Sequence, residues 1–142
     1  MQLADDAQRV LDLLTSDFGF YAPHALTIVD KQTRERRPFA FNPSQVVLHA
    51  RVEKMRRERG YVRMIVPKGR QQGVSTYVTG RAYWHTSMRN NARAHILAHE
   101  MEATKNLFAM IQAYQSGCPL PLRPKAAVDA ANELHFGRLG SR

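Results

Sequence analysis

Apolar and polar residues follow two different periods along the chain, and the switches between them mark out its elements. Leu3, Val10, Leu11 and Leu14 fall on one face of a helix, with Asp5, Asp6 and Arg9 turned away, so the spacing predicts a short leading helix. Leu26-Thr-Ile-Val29 reads as a strand, Asp30 to Arg37 as a polar turn, and Pro38-Phe-Ala-Phe41 as a return to extended apolar character, giving a hairpin or meander. Asn42-Pro43-Ser44 marks a helix start, because an Asn or Ser side chain accepts from free amides and proline is tolerated in the first turn. The helix runs from Gln45 to Arg59. Its basic end, Lys54, Arg56, Arg57 and Arg59, complements the helix dipole, and Gly60 closes it.

Beyond Gly60 the pattern alternates strand and helix. Tyr61 to Val66 has the β-branched content and length of a buried strand, Pro67 to Gly73 is a glycine-containing loop, and Ser75 to Arg89 resumes helical spacing. Ala92 to Ala98 reads as a second strand. Glu100 to Gln115 reads as an amphipathic helix carrying Thr104, Leu107, Phe108 and Ile111 on one side. Cys118 to Pro124 is a loop by its prolines, and Glu133 to Phe136 a short final strand. The order strand, loop, helix, strand, helix predicts an α/β fold with a parallel sheet and flanking helices. A chain of 142 residues, 44% of them hydrophobic, has the material for one small packed domain. Residues 1–60 form its helix, hairpin and helix, and residues 61–142 the alternating part.

Charge and chemistry narrow the function. Lys and Arg number 21 against 12 Asp and Glu, a formal charge of +9 that favours polyanionic partners without choosing between nucleotide and nucleic acid. The single cysteine, Cys118, excludes an internal disulfide and suits a reducing cytoplasm. Nothing has the form of a secretory signal or a membrane span. His95 and His99 invite a shared metal ion, but on a strand they would stand about 13 Å apart, too far for one.

The segment that carries chemistry is Lys68-Gly-Arg-Gln-Gln-Gly-Val-Ser-Thr76, placed between an expected strand and an expected helix. In such a loop, backbone amides point at phosphate oxygens, and a glycine, here Gly73, lets the main chain approach. Ser75 stands two residues after Gly73, where a hydroxyl reaches a magnesium ion bridging two phosphates. Val74 occupies the usual lysine position, so the cation near the phosphates must come from Lys68 or Arg70. The competing reading is an ordinary strand-to-helix turn with solvated basic residues.

The string Lys68-x-Arg70-Gln71-x-Gly73-x-Ser75-Thr76 resembles the deviant P-loop of the large terminase subunits of tailed bacteriophages. Asp30 in Thr-Ile-Val-Asp-Lys and then Pro38-Phe-Ala-Phe-Asn-Pro-Ser-Gln45 look like the segment ahead of that loop, so the resemblance runs from about Phe20 to Tyr114. It implies a partial P-loop ATPase sheet of the RecA/ASCE-like kind, ending before the acidic Walker B strand. It also implies ATP with Mg2+ as cofactors, held by Lys68, Gly69, Arg70, Gln71, Gln72, Gly73, Val74, Ser75 and Thr76. Arg70 would then be the γ-phosphate sensor, Ser75 the magnesium ligand through ATP, and Gln45 the reader of the adenine edge. Phe39 or Phe41 would stack on the base or else belong to the core. Partners implied by the resemblance are double-stranded DNA, a portal protein and a small terminase subunit around a homo-oligomeric ring, all in the bacterial cytoplasm.

An ATPase of this class also needs an acidic pair at a strand end, and neither Asp5-Asp6, Asp129 nor Glu100 stands in that context. Nucleotide binding without turnover is the expectation. The alternatives are an inactive prophage remnant and a non-enzymatic basic nucleic-acid-binding module that uses Arg51, Lys54, Arg56, Arg57, Arg59 and Arg63.

Overall fold

A computed structural model describes residues 2–30, 32–130 and 132–142, with side chains from Asp5 onward. The elements are α1 (Gln2–Ser16), α2 (Phe18–Ala25), β1 (Thr27–Val29), β2 (Arg36–Pro38), α3 (Pro43–Arg59), α4 (Val74–Ser87), α5 (Met101–Gly117), β3 (Val128–Asp129) and β4 (Leu134–His135). The strands form two separate two-stranded antiparallel hairpins, β1 with β2 and β3 with β4.

This overturns the expected parallel sheet and, with it, the P-loop ATPase fold. Residues 61–66 and 92–98 are not strands and do not pair with one another. The physical reason lies in their surroundings. A β-rich segment becomes a strand only where a neighbouring edge takes its hydrogen bonds. Residues 92–94 find their partner in Arg142 instead, whose N–H donates to the Ala92 carbonyl and whose carbonyl accepts from the Ala94 N–H. Ile65 and Leu97 stand 95% and 91% exposed, which no buried strand position would allow.

The helices obey their local signals. Asn42 caps α3 through a reciprocal box, accepting from the Gln45 N–H at 2.9 Å while the Gln45 side chain accepts from the Asn42 N–H. Gly60 ends α3 in the left-handed region at φ +75°. Helix α2 has no counterpart in the sequence reading, although Asp17 caps it by accepting from the Gly19 and Phe20 amides. Of the expected face of α1, Leu14 is buried while Val10 and Leu11 are about half exposed. The Leu3 side chain and Lys31 lie outside the described residues.

One core draws on both halves of the chain. Phe18, Tyr21, Leu26 and Phe39 pack with Tyr77, Tyr83, Trp84, Tyr114 and Phe136, and α4 runs among α2, α3 and α5. Aromatic rings meet edge to face, as Phe18 does with Tyr77 at 5.4 Å and 76°. Gly80 permits a close approach in the core: a Cβ there would lie 3.0 Å from the Phe39 ring. Buried polar groups are matched across elements. The Trp84 indole donates to the Leu14 carbonyl, Tyr83 donates to Gln115, and Gln115 donates to the Pro124 carbonyl.

Candidate nucleotide site

Residues 68–73 form the turn that leads into α4. Gln71 and Gly73 both take left-handed backbone, at φ +61° and +75°. Gly73 is the residue before the helix, and no side chain caps it. Among the described residues, the amides of Gly73, Val74, Ser75 and Thr76 find no acceptor, and the helical ladder starts with Tyr77 donating to the Gly73 carbonyl. Successive free amides after a left-handed residue make a concave, electropositive backbone surface, reinforced by the positive end of the helix dipole.

The side chains around it divide into three sets. Lys68, Arg70, Gln71 and Gln72 are exposed, and neither Lys68 nor Arg70 makes an ion pair among the described residues. Ser75 is exposed, with no hydrogen bond to its hydroxyl among those residues, so it is free to meet a ligand. Val74 and Thr76 are half buried, and the Thr76 carbonyl accepts from the Tyr114 hydroxyl at 3.1 Å, which ties this turn to α5. Gly69 has no steric role comparable to that of Gly73, because a Cβ there would meet only the Gln72 side chain, at 3.4 Å.

Gln45 lies beside the loop, 3% exposed, with both ends of its amide engaged. The oxygen accepts from Asn42, and the nitrogen donates to the Gly73 carbonyl at 2.8 Å. Asn42 adds a longer bond, 3.4 Å, to the Gln72 carbonyl. In this arrangement Gln45 holds the loop. Phe39 is fully buried and belongs to the core, while Phe41 is half buried against Phe18, His49 and Tyr77.

Behind the loop, α3 and α4 share a polar network that sequence reading did not find. Glu53 accepts from Arg81 at 2.6 Å and from Arg56 at 2.8 Å. Arg81 also donates to the Tyr77 hydroxyl oxygen, and Tyr77 in turn shares a 2.9 Å bond with His49 Nδ1. With the Tyr77 oxygen already accepting, its O–H is free to donate to a neutral imidazole. Burial lowers the affinity of His49 for a proton, with Arg81 and Arg56 adding to the effect against Glu53 and Asp17. Burial pushes the Glu53 carboxyl up, but the hydrogen bonds and charges of Arg81 and Arg56 outweigh it and hold it below the usual range. The signal for this cluster was the Glu53/Arg56 spacing of three on one helix, but its third member, Arg81, is 28 residues away.

His99 lies 3.7 Å from Glu100, and among the described residues no three His, Cys, Asp or Glu side chains gather into a metal site. No helix among them is long and apolar enough to cross a membrane. No protein-family model and no curated protein matches the chain.

Proposed function

We propose that residues 68–76 bind the phosphates of ATP, and that the chain contributes this site to a packaging ATPase of the terminase kind. The reading rests on the loop, since the parallel sheet is not formed. One observation carries it: among the described residues four consecutive amides, from the left-handed Gly73 to Thr76, find no acceptor, and Lys68 and Arg70 on the same turn make no ion pair. Lys68 and Arg70 neutralise phosphate charge in place of the lysine that Val74 replaces. The free Ser75 hydroxyl suits a magnesium ion, which would bridge phosphate oxygens and offset their charge. Under this reading the partners are double-stranded DNA, a portal protein, a small terminase subunit and further copies of the chain, in the bacterial cytoplasm.

Calorimetry with ATP and magnesium tests the proposal. Lys68→Ala and Ser75→Ala should each weaken binding by about 1–3 kcal/mol, the scale of a lost charge-assisted hydrogen bond. Equal affinity in both variants and the wild type removes the assignment. A second reading is favoured by the pairing of charges on α3: Arg51, Arg57 and Arg59 lack the carboxylate partners that Lys54 and Arg56 have among the described residues. Salt-sensitive DNA binding that ignores Ser75→Ala would move the function to that basic helix.

A further inference from the structure

A second concentration of positive charge involves none of residues 68–76. Between α3, α4 and residues 60–66 a cavity of about 680 Å³ is lined by Arg56, Arg81, Arg89, Tyr61, Val62 and Trp84, among others. Among the described residues one carboxylate answers the three guanidinium groups. Glu53 takes Arg56 and Arg81, leaving Arg89 with no acidic partner among the described residues. Arg89 sits 4.3 Å over the Trp84 ring, and Arg81 lies 5.4 Å from the same ring. Arg89 Nη2 donates to the Thr15 carbonyl at 3.1 Å, whereas Nη1 is buried and finds no acceptor among the described residues.

A buried donor without an acceptor is costly, and three guanidiniums gathered against one carboxylate repel one another. Arg89 shows the strain, its proton affinity lowered first by burial and then by Arg56 and Arg81. A bound anion offsets the repulsion between the three guanidiniums. The excess of two positive charges and the planar forks of arginine match a phosphate better than a carboxylate. We propose that this cavity is a phosphate-binding site, formed by Arg56, Arg81 and Arg89 and separate from the loop at 68–76. Tyr61, 57% exposed at its rim, offers a ring on which a base can stack, so the phosphate belongs either to free phosphate or to a nucleic-acid strand.

Trp84 is the single tryptophan and lies under Arg89, so its fluorescence reports the site directly. The experiment titrates the full chain with inorganic phosphate, and in parallel with a short oligothymidylate, at ionic strength held constant with chloride. The expected result is a saturable change in emission in the wild type, weakened about tenfold by Arg56→Gln, the scale of one charge-assisted contact. Arg89→Lys should weaken it too, because it keeps the charge but loses the fork, and Lys68→Ala should respond as the wild type does. A response to oligothymidylate at far lower phosphate concentration assigns the site to a strand, and a response to inorganic phosphate alone assigns it to the free anion. Unchanged emission in the wild type, or equal affinity in Arg56→Gln, overturns the proposal. Loss of the response in Lys68→Ala overturns the separation of the two sites. ATP affinity measured on the same Arg56→Gln protein keeps the outcome independent of the loop.

Discussion

The Gln45 amide nitrogen donates to the carbonyl oxygen of Gly73 at 2.8 Å, across 28 residues of sequence. The bond joins the first turn of α3 to the residue that starts α4. Gln45 is also half of the box that caps α3, so one side chain completes two helix starts. The orientation of the Gly73–Thr76 amides therefore depends on the cap of a different helix. Gln45→Ala removes the reciprocal cap bond and the Gly73 contact and leaves the pocket behind them unfilled. It should lower stability by about 1–2 kcal/mol in denaturant melts, the range of a lost cap. Gln45→Glu keeps an acceptor for the Asn42 N–H but cannot donate to the Gly73 carbonyl, so it isolates the loop contact from the cap.

Gly73 and Gly60 share the same left-handed φ of +75° but not the same surroundings. A Cβ on Gly60 would meet nothing within 4 Å, whereas on Gly73 it would lie 2.7 Å from Gln45 Nε2 and 2.9 Å from Asn42 Nδ2. Gly60→Ala therefore isolates the backbone cost, about 1–2 kcal/mol. Gly73→Ala should exceed it, because the added methyl displaces the Gln45 tie as well. Melts of the two variants side by side check the difference, and equal losses would mean that the tie contributes nothing.

How far the sequence reached is visible at these same residues. Asn42, Gln45 and Gly60 declare their helix because capping is local chemistry, settled within a few residues. The β1–β2 hairpin was legible in its turn, where Asp30 accepts from the Gln32 and Thr33 amides, but its second strand is Arg36–Pro38 and not the expected Pro38 to Phe41, because Arg36 to Pro38 are the residues that pair with Val29 to Thr27. Residues 61–66 and 92–98 misled because strand character is a conditional property, realised only beside another edge. The loop was located correctly as the lead into α4, but the engagement of Gln45 with Gly73 and of Arg81 with Glu53 depends on how α3 meets α4. No local pattern encodes that meeting.

Phe39 is a core residue with a ring 6.4 Å from Tyr114 and nearly parallel to it. Phe39→Ala should cost about 3–5 kcal/mol, the range for truncating a buried aromatic. The measurement is chemical denaturation, with ATP affinity taken under conditions where the variant remains folded. Full retention of stability together with a loss of nucleotide affinity would return Phe39 to a base-stacking role.

Acid should destabilise the chain through His49 and Glu53 in successive ranges. The folded-state pKa of His49 is depressed below its ordinary 6.5 by burial, so the unfolded chain takes up the proton first. The contribution of neutral His49 is full above pH 6.5 and declines as pH falls from there towards the depressed folded value. Glu53 is also depressed below its ordinary 4.5, despite the opposing effect of burial, so its contribution is present above that value and is lost as pH falls through the folded one. Melting temperature should fall in two stages, and His49→Gln should flatten the first while leaving the second. An unchanged first stage in His49→Gln would assign it to another histidine, with His85, depressed in the same direction by burial and by Arg89 and Arg81, the next to substitute.

The exposed segments give the sharpest test of the fold itself. Ile65 is 95% exposed and Leu97 is 91% exposed, so neither side chain gains from burial in this arrangement. Placing lysine at either position removes no packing and buries no charge, and surface changes of that kind fall within about 0.5 kcal/mol. Ile65→Lys and Leu97→Lys should therefore melt with the wild type, while remaining monodisperse at higher concentration because an exposed apolar side chain is gone. In the parallel sheet that the sequence suggested, the same substitutions would bury an unpaired ammonium in a strand covered on both faces, at a cost of several kcal/mol. Denaturation of the two variants against the wild type checks this, and a large loss in either would mean that its side chain is covered in solution.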